Sequence, residues 1–555
     1  MKYWIVILSV TLFSCNQKTE KKAEQQKPNV LLIVADDLGY SDIGPFGSEI
    51  QTPALDKMAS EGVRFSNYHV LPNCSPTRSS LLTGNDNHVA GLGIMSEMDY
   101  PALHNQNLPG YSGALSKHVV TIAELLRDND YHTYMVGKWH LGEEPGQNPY
   151  DRGFEETFTL GAGGGSHYQD KSPLAPPQHM EYSRNGKVVN LPSGFYSSKD
   201  YTDSLIRFID QYKTDNKPFF AYLSYTAVHD PLHAPKDYID KYKGKFDGGW
   251  DSLYALRLRN LQALGIVKPG IKPWKNPAIP AWNTLPKKLQ QLYARDMEVY
   301  AASVDYMDMC IGRVIEYLKR EGMYENTVII FMSDNGANGA PAESYPGNED
   351  GRYLGSFNNS LDNRGLPGSY IAQGPGWAQA SSAPFRFFKL FTSEGGIKAP
   401  LIIKMPDKMK QAGEWNKSLV HVTDIMPTLL EITNTAYPQD YKGQHIHPLI
   451  GYSINPVLNG EENKTQQNRG IGYEMFEMKA YIQGKWKILR LPAPMGTGAW
   501  QLYDLEKDPG ETNDLSAQFP DIRNRLVSAW NEYARQNELY DHNGHYDSVY
   551  RRNFK

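Results

Sequence analysis

Cysteine is nearly absent: the chain has three in 555 residues. So few thiols exclude the disulfide framework that staples small exported domains. Charge of one sign is also lacking. A formal net charge of −5 excludes a strongly basic nucleic-acid binder, so no nucleic-acid partner is expected. No apolar run is long enough to span a bilayer and stay there. Walker and dinucleotide loops are missing, as are internal repeats. The glycine-rich "GAGGGS" (161–166) lacks the strand, Lys and helix of a phosphate loop and reads as a flexible loop.

What is there is ordinary globular material, 40% hydrophobic and 21% charged, in a chain long enough for a large core with appendages. Tyr is frequent, at 36 against 10 Trp; such rings line sugar or aryl pockets, and equally supply core area. The start, "MKYWIVILSVTLFSC", has one Lys before a short apolar run, the pattern of an export signal. It ends in small Ser14 before Cys15, which resembles a bacterial lipoprotein signal (1–15) with lipidated Cys15. Residues 16–27, "NQKTEKKAEQQK", read as a flexible tether. The expected location is exported, periplasmic or outer-membrane, in a Gram-negative bacterium, with the membrane touched only through the lipid.

Five apolar runs read as strands: "PNVLLIVADDLGY", "YHTYMVGKWHLG", "KPFFAYLSYTAVHDPLHAP", "NTVIIFMSDNGANG" and "GGIKAPLIIKMP". Alternating with helical patterns, they predict an α/β fold with a mostly parallel sheet flanked by helices, over 28–440. The first four end in Asp, Asn, His or Lys. Ligands in such sheets bind outside the carboxyl ends of the strands, so these residues are expected to converge. Residues 341–388, rich in Gly, Asn, Ser and Pro, read as a long loop acting as lid or pocket wall. From 441 to 555 the pattern shifts to a smaller α+β domain with a small antiparallel sheet and an amphipathic helix over "DIRNRLVSAWNEYARQ".

Asp36 and Asp37 are adjacent carboxylates at a strand end, and Asp334 with Asn335 repeats the arrangement. Three carboxylates and an amide suit a hard cation such as Ca²⁺ or Mg²⁺. Arg78 offers a donor fork for a tetrahedral oxyanion. Lys138 and His140, two apart, point to one side if the segment is extended. With His229 and Lys389 the set describes a site for a sulfate or phosphate ester. Cys310 lies in a helical stretch and reads as a buried apolar residue. Cys74 is left over.

"CSPTRSSLLTG" resembles the signature of the type I sulfatases, Cys-x-Pro-x-Arg followed by x-x-x-Leu-Thr-Gly, at every fixed position. "ADDLGYSDIG", "GKWHLG", "VHDPLHAP", "FMSDNGANGA" and "FKLFTSEGGIKAP" resemble the remaining family blocks, and the likeness is nearest to the bacterial alkyl/arylsulfatases. Lys398 departs from an Arg common in the family. The resemblance implies an alkaline-phosphatase-like fold and a Cys74 oxidised to Cα-formylglycine by a maturase. It implies one Ca²⁺ held by Asp36, Asp37, Asp334 and Asn335, with modified Cys74 beside it. Arg78, Lys138 and Lys389 would hold sulfate oxygens. A formylglycine hydroxyl would attack sulfur, His229 with Lys389 would protonate the leaving oxygen, and His140 would help the second hydroxyl expel sulfate. The expected activity is hydrolysis of aryl or alkyl sulfate monoesters. Alternatives are removal of sulfate from terminal sugars of glycans, phosphate mono- or diester hydrolysis on the same fold, and a glycan-binding lipoprotein with a decayed site.

Overall fold

The computed structural model describes residue 1 and residues 26–540, apart from 96, 98–107, 346, 349, 407–408 and 462–467. Cys15 and residues 16–25 of the tether lie outside the described residues, as do 541–555. A ten-stranded sheet forms the body. Four strands stand side by side at its middle: Thr327–Ser333, Asn29–Ala35, Phe219–Ser224 and His132–Lys138. All neighbours among them run parallel. They are the four runs that end in polar residues, so their carboxyl ends share one edge of the sheet.

Period two divides each strand between two cores. Leu31, Ile33 and Ala35 join one cluster, with the helices Pro53–Glu61, Ser197–Tyr212 and Lys287–Arg320. Val30, Leu32 and Val34 join the other, with Ile122–Asp128 and Ile425–Ile432. Burial on both faces explains why these strands are continuously apolar rather than alternating. Cys310 is fully buried in the longest of these helices.

The fifth expected strand, Leu401–Lys404, pairs antiparallel with Thr327–Ser333. Short pieces missed in the sequence extend the sheet: Glu156–Leu160, parallel to His132–Lys138, and four strands of two or three residues toward its two edges. The segment 341–388 is less open than expected. It contains the helix Gly374–Ser381, whose Trp377 is buried at 1% exposure.

A second, four-stranded antiparallel sheet joins Gly470–Met475, Met478–Gln483, Trp486–Arg490 and Gln501–Asp504. One face packs on the helix Pro520–Gln536 through Ile488, Leu502, Leu526 and Trp530. The other packs on the body, with Tyr473, Ile482 and Leu489 against Phe387, Phe388 and Phe391. No helix among the described residues is long and apolar enough to cross a membrane.

Candidate active site

Adjacent strand ends deliver the polar residues to one place. Asp36 and Asp37 follow Asn29–Ala35, Asp334 and Asn335 follow Thr327–Ser333, and Lys138 ends His132–Lys138. Asp37 and His140 take left-handed φ values of 63° and 58°. Such backbone is uncommon outside glycine and persists where surroundings hold it. At Asp37 the N–H donates to Asp334 Oδ1 at 3.2 Å.

Cys74 opens the helix Cys74–Thr83, every residue of which is buried. Asn73 caps it, its side chain accepting the Cys74 N–H at 2.8 Å. The sulfur lies 3.6 Å from Asp36 Oδ1 and 3.9 Å from Asp37 Oδ1. Burial pushes the thiol well above its ordinary value, and the nearby Lys138 and Lys389 do not reverse this. A thiol held protonated is a poor nucleophile.

Three cations interleave with three carboxylates. Arg78 donates to Asp334 Oδ2 from Nε at 3.0 Å and Nη2 at 2.7 Å. Its Nη1 reaches the Lys138 carbonyl at 3.3 Å and the Ser224 hydroxyl. Lys138 Nζ donates to Asp36 Oδ2 at 2.8 Å. Lys389 Nζ lies 2.8 and 2.9 Å from the two oxygens of Asp37. Burial drives Asp36 up to about 7, with Lys138 pulling against it. Asp37 is buried equally, yet Lys389 and then His229 hold it far below the usual carboxylate range.

His229 Nδ1 donates to the Asp230 carbonyl at 2.6 Å, which leaves Nε2 to accept from Lys389 at 3.2 Å. This tautomer is assigned from the hydrogen-bond network. Burial keeps the ring well below its ordinary value. Asp230 is in turn gripped by Asn338 Nδ2 at 2.9 Å, the Tyr345 hydroxyl at 3.1 Å and the Gln373 N–H at 3.2 Å. Residues of 341–388 therefore wall the site behind His229. His233 is the nearest competitor, but both its ring nitrogens are engaged by backbone, accepting from His167 N–H at 3.3 Å and donating to Ser369 O at 3.0 Å.

His140 has left the strand, so the period-two argument for its direction does not apply. Its Nε2 sits 2.8 and 2.9 Å from the oxygens of Glu97, and Lys138 and Arg78 act on it electrostatically. Glu97 was not legible: "MSEMDY" carries no motif. Residues 161–166 form an irregular loop, and two of its glycines pack against the site. A Cβ on Gly163 would lie 2.5 Å from Glu97 Oε1 and 2.8 Å from His140 Cε1, and one on Gly164 would lie 2.9 Å from His229 Nδ1. The glycines let the backbone run directly over both histidines.

The residues fit a metal ion. Ligand atoms of Asp36, Asp37, Cys74 and His229 lie within 4.8 Å of one another. Asn335 Oδ1 is buried without a hydrogen-bond partner, while its Nδ2 donates to Asp37 Oδ1 at 2.7 Å. An orphaned carbonyl oxygen among carboxylates is a donor set for a cation that prefers oxygen.

Residues 28–435 match the Sulfatase family, and residues 385–536 match "N-sulphoglucosamine sulphohydrolase, C-terminal". An uncharacterized sulfatase of Schizosaccharomyces pombe is 41% identical over 528 residues, covering 92% of this chain and 94% of that protein. An arylsulfatase of Klebsiella aerogenes is 39% identical over 438 residues, covering 78% and 93%. A crystal structure of Ps i-CgsB in complex with k-i-k-neocarrahexaose shares the fold, with a TM-score of 0.66 at 24% identity over 95% of this chain and 97% of that one. With its fold, its clustered residues and these relatives in agreement, the chain belongs to the sulfatase family and is a sulfuric ester hydrolase.

Proposed function

We propose that this enzyme hydrolyses aryl or alkyl sulfate monoesters, using a formylglycine formed from Cys74 and a Ca²⁺ held by Asp36, Asp37, Asp334 and Asn335. The observation that carries the reading is the placement of Cys74. It sits in the first turn of a buried helix, within 4 Å of two carboxylates that are themselves paired with Lys138 and Lys389.

When bound, the cation supplies positive charge beside the sulfate oxygens and beside the hydroxyl that attacks. Formed from Cys74, a hydrated aldehyde would supply two hydroxyls, one as nucleophile toward sulfur and one whose proton must be removed for sulfate to leave. The chain's own residues do the rest. Lys138 and Lys389 bring fixed positive charge to the sulfate oxygens, where negative charge is redistributed in the transition state. Arg78 holds Asp334 and the strand ends in register, and its fixed charge favours an anion beside them. His229, its Nε2 beside Lys389 Nζ, delivers a proton to the departing oxygen, and the ammonium of Lys389 orients the ring for that transfer. His140, oriented by Glu97, takes the proton from the second hydroxyl.

The arylsulfatase relative at 39% identity supports the aryl reading. The match of 385–536 to the C-terminal part of a sulphoglucosamine sulphohydrolase supports sulfated sugars as the second reading. Comparing kcat/KM on 4-nitrophenyl sulfate, alkyl sulfates, sulfated sugars and the matching phosphate esters decides between them. Preference for the phosphates would overturn both. Peptide mass spectrometry should show H₂S exchanged for one oxygen at Cys74, and Cys74→Ala should fold without turnover. High activity from unmodified Cys74 would sink the mechanism. Anchorage through lipidated Cys15 is proposed on the signal alone; Cys15→Ala should move the enzyme from the membrane to the soluble fraction, and an already soluble wild type would refute it.

A further inference from the structure

The turn that presents Lys389 is held partly from outside the body of the enzyme. Across 386–398 the chain folds back on itself, with the Gly395 N–H donating to Arg386 O at 2.9 Å. A Cβ on Gly395 would lie 2.0 Å from Phe387 O, and one on Gly396 would lie 2.0 Å from Phe391 O. The same turn supports two other parts of the site. The Leu390 N–H donates to Pro72 O at 2.7 Å, just ahead of Cys74. The Lys389 N–H donates to Ala337 O at 3.0 Å, and the Gly336 N–H to Gly396 O at 3.1 Å, just beyond Asn335.

At the centre of this turn is the Glu394 carboxylate, fully buried. His69 Nε2 lies 3.0 Å from Oε2, and Lys398 Nζ lies 3.5 Å from the same oxygen. The other oxygen accepts from Lys487 Nζ at 2.9 Å. Lys487 belongs to Trp486–Arg490 of the second sheet, and it too is fully buried. Its Nζ lies 2.7 Å from Glu511 Oε1, and Glu511 Oε2 accepts the Glu394 N–H at 3.1 Å. Fully buried Lys and Glu occur almost only as partners. Without Lys487 the Oε1 oxygen loses its only side-chain donor at hydrogen-bond distance, since His69 and the more distant Lys398 both lie on Oε2; a buried oxygen left so draws in a proton or water, and either change loosens the turn.

We propose that Lys487 is a positioning residue for the sulfatase centre: it holds Glu394, and through the turn 386–398 it sets Lys389 against Asp37 and His229. The inference rests on the sulfatase reading of that centre, and it gives the antiparallel sheet a part in catalysis without contact with substrate.

The test is a double-mutant cycle on 4-nitrophenyl sulfate, at matched Cys74 modification and with folded protein verified by circular dichroism. Lys487→Met should lower kcat/KM about tenfold in the wild-type background and less than about twofold in a Lys389→Ala background, because residues acting as one unit are not additive. Lys487→Arg should restore most of the loss. Equal factors in both backgrounds would mean that Lys487 only stabilises the fold, and would overturn the proposal. If Lys487→Met does not fold, Glu394→Gln takes its place in the same cycle with the same two outcomes. A wild type inert on all sulfate esters would overturn the sulfatase reading instead, before any variant is made.

Discussion

His229→Ala should cost an amount that depends on the leaving group. The substitution removes the Nε2 acceptor 3.2 Å from Lys389 and the Nδ1 bond to Asp230 O. It leaves Lys389 its contacts with both oxygens of Asp37, so the fixed charge at the site survives and the proton path is what is lost. A positioned acid contributes about 10²–10⁴-fold when the departing oxygen is strongly basic, which is about 3–5 kcal/mol of barrier. An alkoxide needs that proton in full. A nitrophenolate leaves readily, so its loss should stay within about tenfold. The assay compares kcat/KM for 4-nitrophenyl sulfate, followed by absorbance, with kcat/KM for an alkyl sulfate, followed by released sulfate. Thermal unfolding and the extent of Cys74 modification serve as controls. His233→Ala, whose ring nitrogens bond only backbone, should affect both esters alike. Equal losses in His229→Ala would refute the acid role and leave His229 a binding residue.

Three further outcomes follow from geometry. Exhaustive chelation should abolish turnover and Ca²⁺ should restore it, with oxygen ligands at about 2.3–2.6 Å in a structure of the bound state; Asp37→Asn should weaken the ion more than His140→Ala, and full activity after chelation would contradict the site. Burial disfavours the imidazolium of His88, but Asp86 at 2.9 Å and Glu474 at 3.2 Å outweigh it and raise the group to about 9. A raised folded value means the stabilisation is complete below about pH 6.5 and lost as pH rises through about 9, on the order of 3 kcal/mol. Denaturant unfolding at both ends of that window should show the loss in wild type and not in His88→Gln, and parallel curves would refute it. Gly163→Ala should lower kcat at least tenfold (about 1.4 kcal/mol of barrier) by displacing His140 and Glu97, whereas Gly355→Ala, with nothing within 4 Å of its new Cβ, should be silent; equal kcat in the two would remove the packing argument.

Much of the centre was legible because its chemistry and its topology use the same residues. Asp36, Asp37, Lys138, Asp334 and Asn335 each close an apolar run, and a parallel sheet aligns such ends without further information. Cys74 was legible through the signature around it, and the structure adds the helix it opens and the Asn73 cap. The rest depends on contacts that no local pattern encodes. Glu97 meets His140 across 43 residues of sequence, and Asn338 meets Asp230 across 108. Gly163 and Gly164 looked like slack because glycine marks both freedom and close approach, and only the neighbouring rings distinguish the two. The helix Gly374–Ser381 was hidden by the glycines and proline at its first turn, which read as loop until Trp377 is seen buried. His140 misled the argument from alternation, since a single left-handed residue ends the pleat.

The burial of Cys74, at 1% exposure beside Asp36 and Asp37, sets a deadline. On the formylglycine reading, another enzyme has to handle this side chain, and it can do so only while the helix Cys74–Thr83 is still reachable. Two chains of identical sequence, one caught in time and one not, then close into near-identical bodies and differ for good in output. On that reading the specific activity of a preparation would count how many molecules were intercepted before folding. Slowing collapse of the central strands should raise that count, and a substitution that hastens it should yield a sturdier protein with more silent copies.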